Sequence, residues 1–225
     1  MKTGIIIQAR MNSSRCPGKV LRMIHDKTLL AHITSRLAHL RHEAVVVIAT
    51  TDSTKDDVVG AYCKEKGIAC FRGSEANVLE RYYLCARAYG MHSVIRLTAD
   101  NPFVDVEELD RLIDMHVSSD SDFCHSFKSL PVGAGAEIFT FAALELSFQE
   151  AKTRHHLEHV DEYMLENPGR FKTTELTVNG PKNHPEVRLT IDTEEDYHRA
   201  CFIAAHATTD PVTTEEAIRL CSQFA

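Results

Sequence analysis

The stretch Gly4-Ile5-Ile6-Ile7-Gln8-Ala9-Arg10-Met11-Asn12-Ser13-Ser14-Arg15-Cys16-Pro17-Gly18-Lys19 decides how this chain reads. Its apolar opening is short and stops abruptly at polar residues, the pattern of a buried parallel strand that delivers the chain into a loop. Beyond that loop, Leu29, Leu30, Ile33, Leu37 and Leu40 fall at helical spacing, and residues 44–49 (AVVVIA) make a second buried strand. The unit then recurs. Asp52 and Ser53 can cap a helix through Lys66, Gly67 stands just past its end, and residues 68–71 form a third strand. Ser74 caps a helix carrying Val78, Leu79, Tyr82, Cys85 and Ala86 that stops at Gly90, before a strand at 93–97. Asp105 opens a helix bearing Leu109, Leu112, Ile113 and Met115, followed by a strand at 122–127. Such alternation predicts an α/β three-layer sandwich around a mostly parallel sheet.

Past Gly135 the rhythm changes. A strand is expected at 137–141, helices at 141–151 and 154–166, and a strand-like run at 171–178, so that 131–186 reads as a small α+β insertion within a single domain spanning 1–225. Residues 187–191 then read as one more buried strand, with helices opening near Thr193 and Thr213.

Composition narrows the function. The chain has 225 residues, 44% hydrophobic and 25% charged, which suits one globular domain with a sizeable core. A net charge of −7 argues against a nucleic-acid partner, yet Arg10, Arg15, Lys19 and Arg22 precede the first acid, Asp26, and mark a local anion site. Seven cysteines, odd in number and without a C-x-x-C pair, indicate neither a disulfide framework nor a zinc site. No apolar run is long enough to span a bilayer, and the chain opens on a short strand-like run instead of a signal-peptide core, so the expected setting is cytoplasmic with no membrane partner.

In open α/β sheets ligands lie beyond the carboxyl ends of the strands, so the residues just after each strand are the ones to search. The 8–19 loop combines Ser, Asn and Gly, which let phosphate oxygens approach the backbone, with two arginines and a lysine to neutralise them. It is no Walker loop, because Ser13 and Val20 stand where that motif needs Gly and Ser or Thr. A solvated basic loop is the competing reading. Asp100 and Asp192 each stand at a strand's carboxyl end, and a pair of carboxylates converging there is a common way to hold Mg²⁺ beside phosphates. Either could instead be a helix cap, Asp192 above all, since Thr193-Glu194-Glu195 follows it.

Three other features carry less. Gly133-Ala134-Gly135 begins like a dinucleotide fingerprint, but Ile138 stands at its third Gly. His155, His156 and His159 on one expected helix have a metal-compatible spacing, though acceptor contact or surface exposure suits them better. Asp120-Ser121-Asp122 mimics a D-x-D motif but precedes its strand, which places it at the end of the sheet away from the cleft.

Taken together, residues 5–21 (IIIQARMNSSRCPGKVL), 71–83 (FRGSEANVLERYY), 94–105 (VIRLTADNPFVD) and 188–196 (RLTIDTEED), with Glu158-His159-Val160 and Asn167-Pro168, resemble the cytidylyltransferase family. The likeness is greatest to its spore-coat polysaccharide F-type branch, and it covers nearly the whole chain. The family includes the enzymes that activate 3-deoxy-manno-octulosonate and other nonulosonic acids as CMP-sugars. The resemblance implies a nucleotide-diphospho-sugar transferase-like fold, Mg²⁺, a homodimer, and transfer of CMP from CTP to a nonulosonic acid or related cell-surface sugar with release of pyrophosphate. It assigns Arg10, Lys19 and Asp100 to catalysis and Asp100 and Asp192 to the metal. Ala9, Arg10, Ser14, Arg15, Lys19, Arg72, Gly73 and Ser74 fall to the nucleotide, and Glu137 and His159 to the acceptor. Arg96 is read either as part of that site or as a salt-bridge partner within the sheet.

Two departures stand out: Cys16 replaces a usual Leu, and Val132 and Gly135 stand where the branch commonly has Arg and Asp. A GT-A-like glycosyltransferase consuming a nucleotide-sugar, or a nucleotide-binding protein without turnover, are the alternatives on the same architecture. Pyrophosphate release separates the nucleotidyltransferase from both alternatives.

Overall fold

The computed structural model describes residues 2–224. Strand β1 (Thr3–Gln8) leads into the basic loop, a short 3-10 turn at Lys19–Leu21 and a small hairpin of β2 (Met23–Ile24) and β3 (Lys27–Thr28). Helix α1 (Leu29–Leu37) follows, then β4 (Val45–Thr51), α2 (Asp57–Lys66), β5 (Ala69–Gly73), α3 (Val78–Tyr89), β6 (Ser93–Thr98) and α4 (Val106–Ser119). The second half holds β7 (Phe123–His125), β8 (Glu137–Thr140), α5 (Phe141–Glu150), α6 (Arg154–Glu158), α7 (Glu162–Glu166), β9 (Thr173–Glu175), α8 (Glu194–His206) and α9 (Thr214–Cys221).

Seven strands form one sheet in the order β5-β4-β1-β6-β8-β7-β9. The first four are parallel, and β8 closes against β6 antiparallel. Successive residues of the central strands feed opposite faces, as strand geometry requires. Ile5, Ile7 and Ile48 pack with Leu30, Ile33, Leu112 and Ile203 on one side. Ile6, Val47 and Ala49 pack with Leu79, Tyr82, Leu144 and Met164 on the other. The result is the expected three-layer sandwich.

The chain leaves β1 toward β4 on one side and reaches β6 on the other, so strand order reverses between β1 and β6. Their carboxyl ends, Gln8 and Thr98, are paired neighbours. A crevice at such a reversal is where open α/β sheets place ligands.

Several boundaries depart from the expectations. Residues 187–191 form no strand: the segment makes a single bridge from Arg188 to Val132, and Ile191 N–H donates to the Asp100 carbonyl. The sheet slot beside β6 is already taken by β8, so this segment follows the loop rims. The helix expected at 154–166 is two pieces, because His159 is extended (φ −114°, ψ 107°). His155 and His159 nonetheless stay one turn apart, the His159 N–H donating to the His155 carbonyl and the ring centroids lying 4.8 Å from each other. The strands expected at 122–127 and 171–178 pair only over β7 and β9. Asn77, not Ser74, caps α3, while Ser74 accepts from the Asn77 N–H. Asp52 caps nothing; Ser53 caps a 3-10 turn at Thr54–Asp56 that precedes α2. Among the described residues no helix is long and apolar enough to cross a membrane.

Candidate active site

The cap of α8 explains why Asp192 is free. Thr193 Oγ1 accepts from the Asp196 N–H, and Asp196 Oδ2 accepts from the Thr193 N–H, a reciprocal capping box. Asp196 also takes the Asp192 N–H. With the helix terminus satisfied by its neighbours, the Asp192 carboxylate is left to face the crevice, which corrects its reading as a cap.

Across the crevice, Asp100 sits in the turn two residues past the end of β6, with one oxygen held by the Thr98 hydroxyl. The basic loop delivers Lys19 between the two acids. Gly18 permits this: its φ of 69° lies in the left-handed region, where side chains are disfavoured. The Lys19 ammonium, only 10% exposed, donates 3.2 Å to Asp100 Oδ2, 3.2 Å to Asp192 Oδ1 and 2.5 Å to the Ile191 carbonyl. The second oxygen of Asp192 is taken by Arg188, and Arg15 approaches its first oxygen at 3.5 Å. Burial acts against the Asp192 carboxylate, but Lys19 and Arg188 outweigh it and hold its pKa below the usual aspartate value.

These groups sit at the mouth of a cleft of about 450 Å³. Of the residues assigned to the nucleotide, Ala9, Arg10, Ser14, Arg15 and Lys19 line it; Arg72, Gly73 and Ser74 do not. Arg72 is turned away, donating to the carbonyls of Thr51 and Ser53 and to Asp57 Oδ1 at 2.6 Å, so its charge is spent on the start of α2. Arg81 on α3 lines the cleft instead. It is 98% buried by side-chain packing (2% exposed) and donates to the Ser74 carbonyl at 2.5 Å. Gly73 makes room for it, since a Cβ there would lie 3.2 Å from Arg81 Cγ. Sequence reading missed Arg81 because it is embedded in a helix whose apolar stripe drew attention; a cation among buried positions was the available signal.

Glu158 and His159 also reach this cleft, carried there by the break between α6 and α7. A second cavity of about 270 Å³ adjoins it, lined by Val132, Gly133, Glu137, Arg188 and Thr190 and sharing Arg96, Asp100 and Asp192. Arg96 thus stands between the two. Its guanidinium donates 3.0 Å to Glu137 and lies 3.9 Å from Asp161, each side chain no more than 14% exposed. Burial pushes the Glu137 carboxyl up, to about 7, against the pull of Arg96. Burial disfavours the Arg96 cation too, but Glu137 and Asp161 outweigh it. Arg96 is thus both a lining residue and a buried salt-bridge partner.

Gly133 (φ 94°) is required where it stands: a Cβ would fall 2.8 Å from the Thr190 nitrogen and 2.9 Å from Asn101 Oδ1. The Gly133-Ala134-Gly135 run is therefore a packing device at the cavity wall. Cys16 is fully buried, and burial raises its thiol pKa despite Arg22 Nη1 at 3.2 Å, so it is not an activated thiol. Asp122 accepts from the Lys172 N–H, away from the cleft.

The cytidylyltransferase family model matches residues 4–223. The chain belongs to the cytidylyltransferase family. As a nucleotidyltransferase of this family, it is similar to the spore coat polysaccharide biosynthesis protein SpsF of Bacillus subtilis, 38% identical over 197 residues, or 85% of this chain and 82% of that protein. Its fold is similar to that of a cytidylyltransferase from Leptospira borgpetersenii, with a TM-score of 0.92 at 31% identity over 99% of this chain and 94% of that one. The architecture also matches a CMP:2-keto-3-deoxy-manno-octonic acid synthetase solved with CTP, with a TM-score of 0.68 at 18% identity over 91% of this cytidylyltransferase and 99% of that chain.

Proposed function

We propose that this cytidylyltransferase transfers CMP from CTP to a sugar, with release of pyrophosphate and with Mg²⁺ at Asp100 and Asp192. The observation that carries the reading is the meeting of Asp100, Asp192 and the Ile191 carbonyl on one ammonium, Lys19 Nζ. Three oxygens converging on one cation form a set of hard ligands suited to Mg²⁺. When bound there, the ion supplies Lewis-acid polarisation of the phosphate and favours ionisation of the attacking hydroxyl.

The chain's own residues do the rest. The basic loop binds the triphosphate: Arg10 and Arg15 face the 450 Å³ cleft, and Lys19 would be free to pair with phosphate were Asp100 and Asp192 to hold an ion. Ala9 and Ser14 line the same wall. As the acceptor hydroxyl attacks the α-phosphorus, the bond to pyrophosphate breaks and charge gathers on the leaving group, where Arg10, Arg15 and Lys19 stabilise it. The acceptor lies in the adjoining cavity against Glu137, with His159 at the rim of the main cleft.

The test is pyrophosphate release with Mg²⁺ over the four nucleoside triphosphates and a panel of sugars, sugar phosphates and nonulosonic acids. Release with CTP and a sugar, lost on chelation, is expected. Consumption of a nucleotide-sugar donor without pyrophosphate would overturn the reading.

A further inference from the structure

Beside the cleft, and among the described residues, His155, Glu162 and Glu166 bring three metal-ligating atoms within 4.8 Å of one another. Histidine spacing alone points to His155 and His159, but the structure gives His155 two carboxylates instead. The break at His159 lets α7 pack beside α6, and Glu162 and Glu166, four residues apart, share one face of α7. His155 Nε2 lies 3.5 Å from Glu162 Oε2. Ligand atoms on a tetrahedral Zn²⁺, with bonds of about 2.0–2.1 Å, sit roughly 3.4 Å apart, so about an ångström of side-chain movement would close the group on an ion. His155 and Glu166 are exposed at their side chains and free to make it.

One of the carboxylates is already oriented. His156, nine-tenths buried, has Nε2 2.7 Å from Glu166 Oε2. Its Nδ1 is buried without a partner among the described residues, so the ring's proton belongs on Nε2, where Glu166 accepts it. A buried histidine that holds one oxygen of a carboxylate and leaves the other to a cation is the kind of outer support on which metal affinity depends. Neither Glu162 nor Glu166 pairs with a lysine or arginine among the described residues, so two like charges on one helix face stand without a strong counter-charge. A divalent ion relieves them, and the imidazole favours a transition metal over Mg²⁺.

We infer that His155, Glu162 and Glu166 bind one divalent transition-metal ion of the Zn²⁺ type, separate from the ion proposed at Asp100 and Asp192. Its effect on the cleft is positional. The His155 ring packs on His159, with centroids 4.8 Å apart, and Glu158 and His159 line the cleft, so an ion joining α6 to α7 fixes the turn that carries both.

The experiment titrates Zn²⁺ into the full chain by calorimetry, with Mg²⁺ in excess, and repeats the titration on His155→Ala and Glu162→Gln, each checked for fold by circular dichroism. One ion per chain, bound at least about tenfold more weakly by both variants, is expected, with a rise in Tm that both variants lose. Co²⁺ identifies the donors: visible absorption without a thiolate charge-transfer band is expected, and such a band would assign the ion to cysteine and overturn the inference. Equal affinity in the variants and the unaltered protein, or no Zn²⁺ binding, would overturn it as well. Each of these outcomes leaves the transfer reading standing, because none of them measures pyrophosphate release.

Discussion

The ammonium of Lys19 lies 3.2 Å from Oδ1 of Asp192, a residue 173 positions further along the chain. The contact joins the first loop of the sheet to the segment before α8, and it places a positive charge at the point where two acids meet. Its consequence for catalysis is direct. Lys19→Ala should lower the rate of pyrophosphate release on the order of a hundredfold, the typical effect of removing one preorganised charge. Circular dichroism should show the fold retained. A near wild-type rate in the folded variant would remove Lys19 from the mechanism.

Gly133 is pressed against Thr190 and Asn101 in a left-handed conformation. Gly133→Ala should destabilise the chain by about 1–3 kcal/mol, because both the backbone and the added carbon are strained. The same shift displaces the wall of the smaller cavity, so KM for the acceptor should rise more than KM for CTP. Unchanged thermal stability and unchanged kinetics together would contradict the packing.

The Arg96–Glu137 pair can be separated from its neighbours by a double-mutant cycle. Arg96→Met strands both Glu137 and Asp161 and should cost about 3–5 kcal/mol, whereas Glu137→Leu leaves Arg96 its Asp161 partner and should cost less. The double variant should be less destabilised than the sum of the two, with the residual penalty arising from Asp161, which loses its pairing with Arg96. Additive effects in denaturant unfolding would mean the pair is not coupled.

Glu216 sets an acid limit on stability. Its carboxylate accepts the N–H and hydroxyl of both Thr208 and Thr209, and although burial acts against the charged form, these bonds bring its pKa down to about 2 from an ordinary 4.5. A folded pKa below the unfolded one means the stabilisation is complete above pH 4.5 and is lost as pH falls toward 2. Glu216→Gln should therefore be less stable than the unaltered protein at pH 7, by about 1–2 kcal/mol, with the gap closing in that acid window. A gap of constant size from pH 7 to pH 2.5, measured by urea unfolding, would refute this account.

Much of the sandwich was legible because period-two and period-3.6 burial is written locally: β1, β4 and β6 and helices α1, α3 and α4 lie where apolar spacing puts them. What spacing could not supply was competition between segments. Residues 187–191 are as apolar as a strand, yet β8 already occupies the edge of β6, so they became a loop rim that carries Asp192. Similarly, Arg72 has the residue type of a phosphate ligand, but three acceptors near the start of α2 lie closer to it than the cleft does.

By itself, then, the sequence determined the alternation of elements, the basic loop and the two acids at strand ends, since each follows from side-chain periodicity or from residue types within a few positions of one another. Only the tertiary structure decided that Asp100 and Asp192 share one cation, that Arg81 and not Arg72 faces the cleft, and that Arg96 pairs with Glu137 and Asp161 between the two cavities. Those outcomes depend on which distant groups are nearest in space, and electrostatic pairing falls off over ångströms of separation, whatever the distance along the chain.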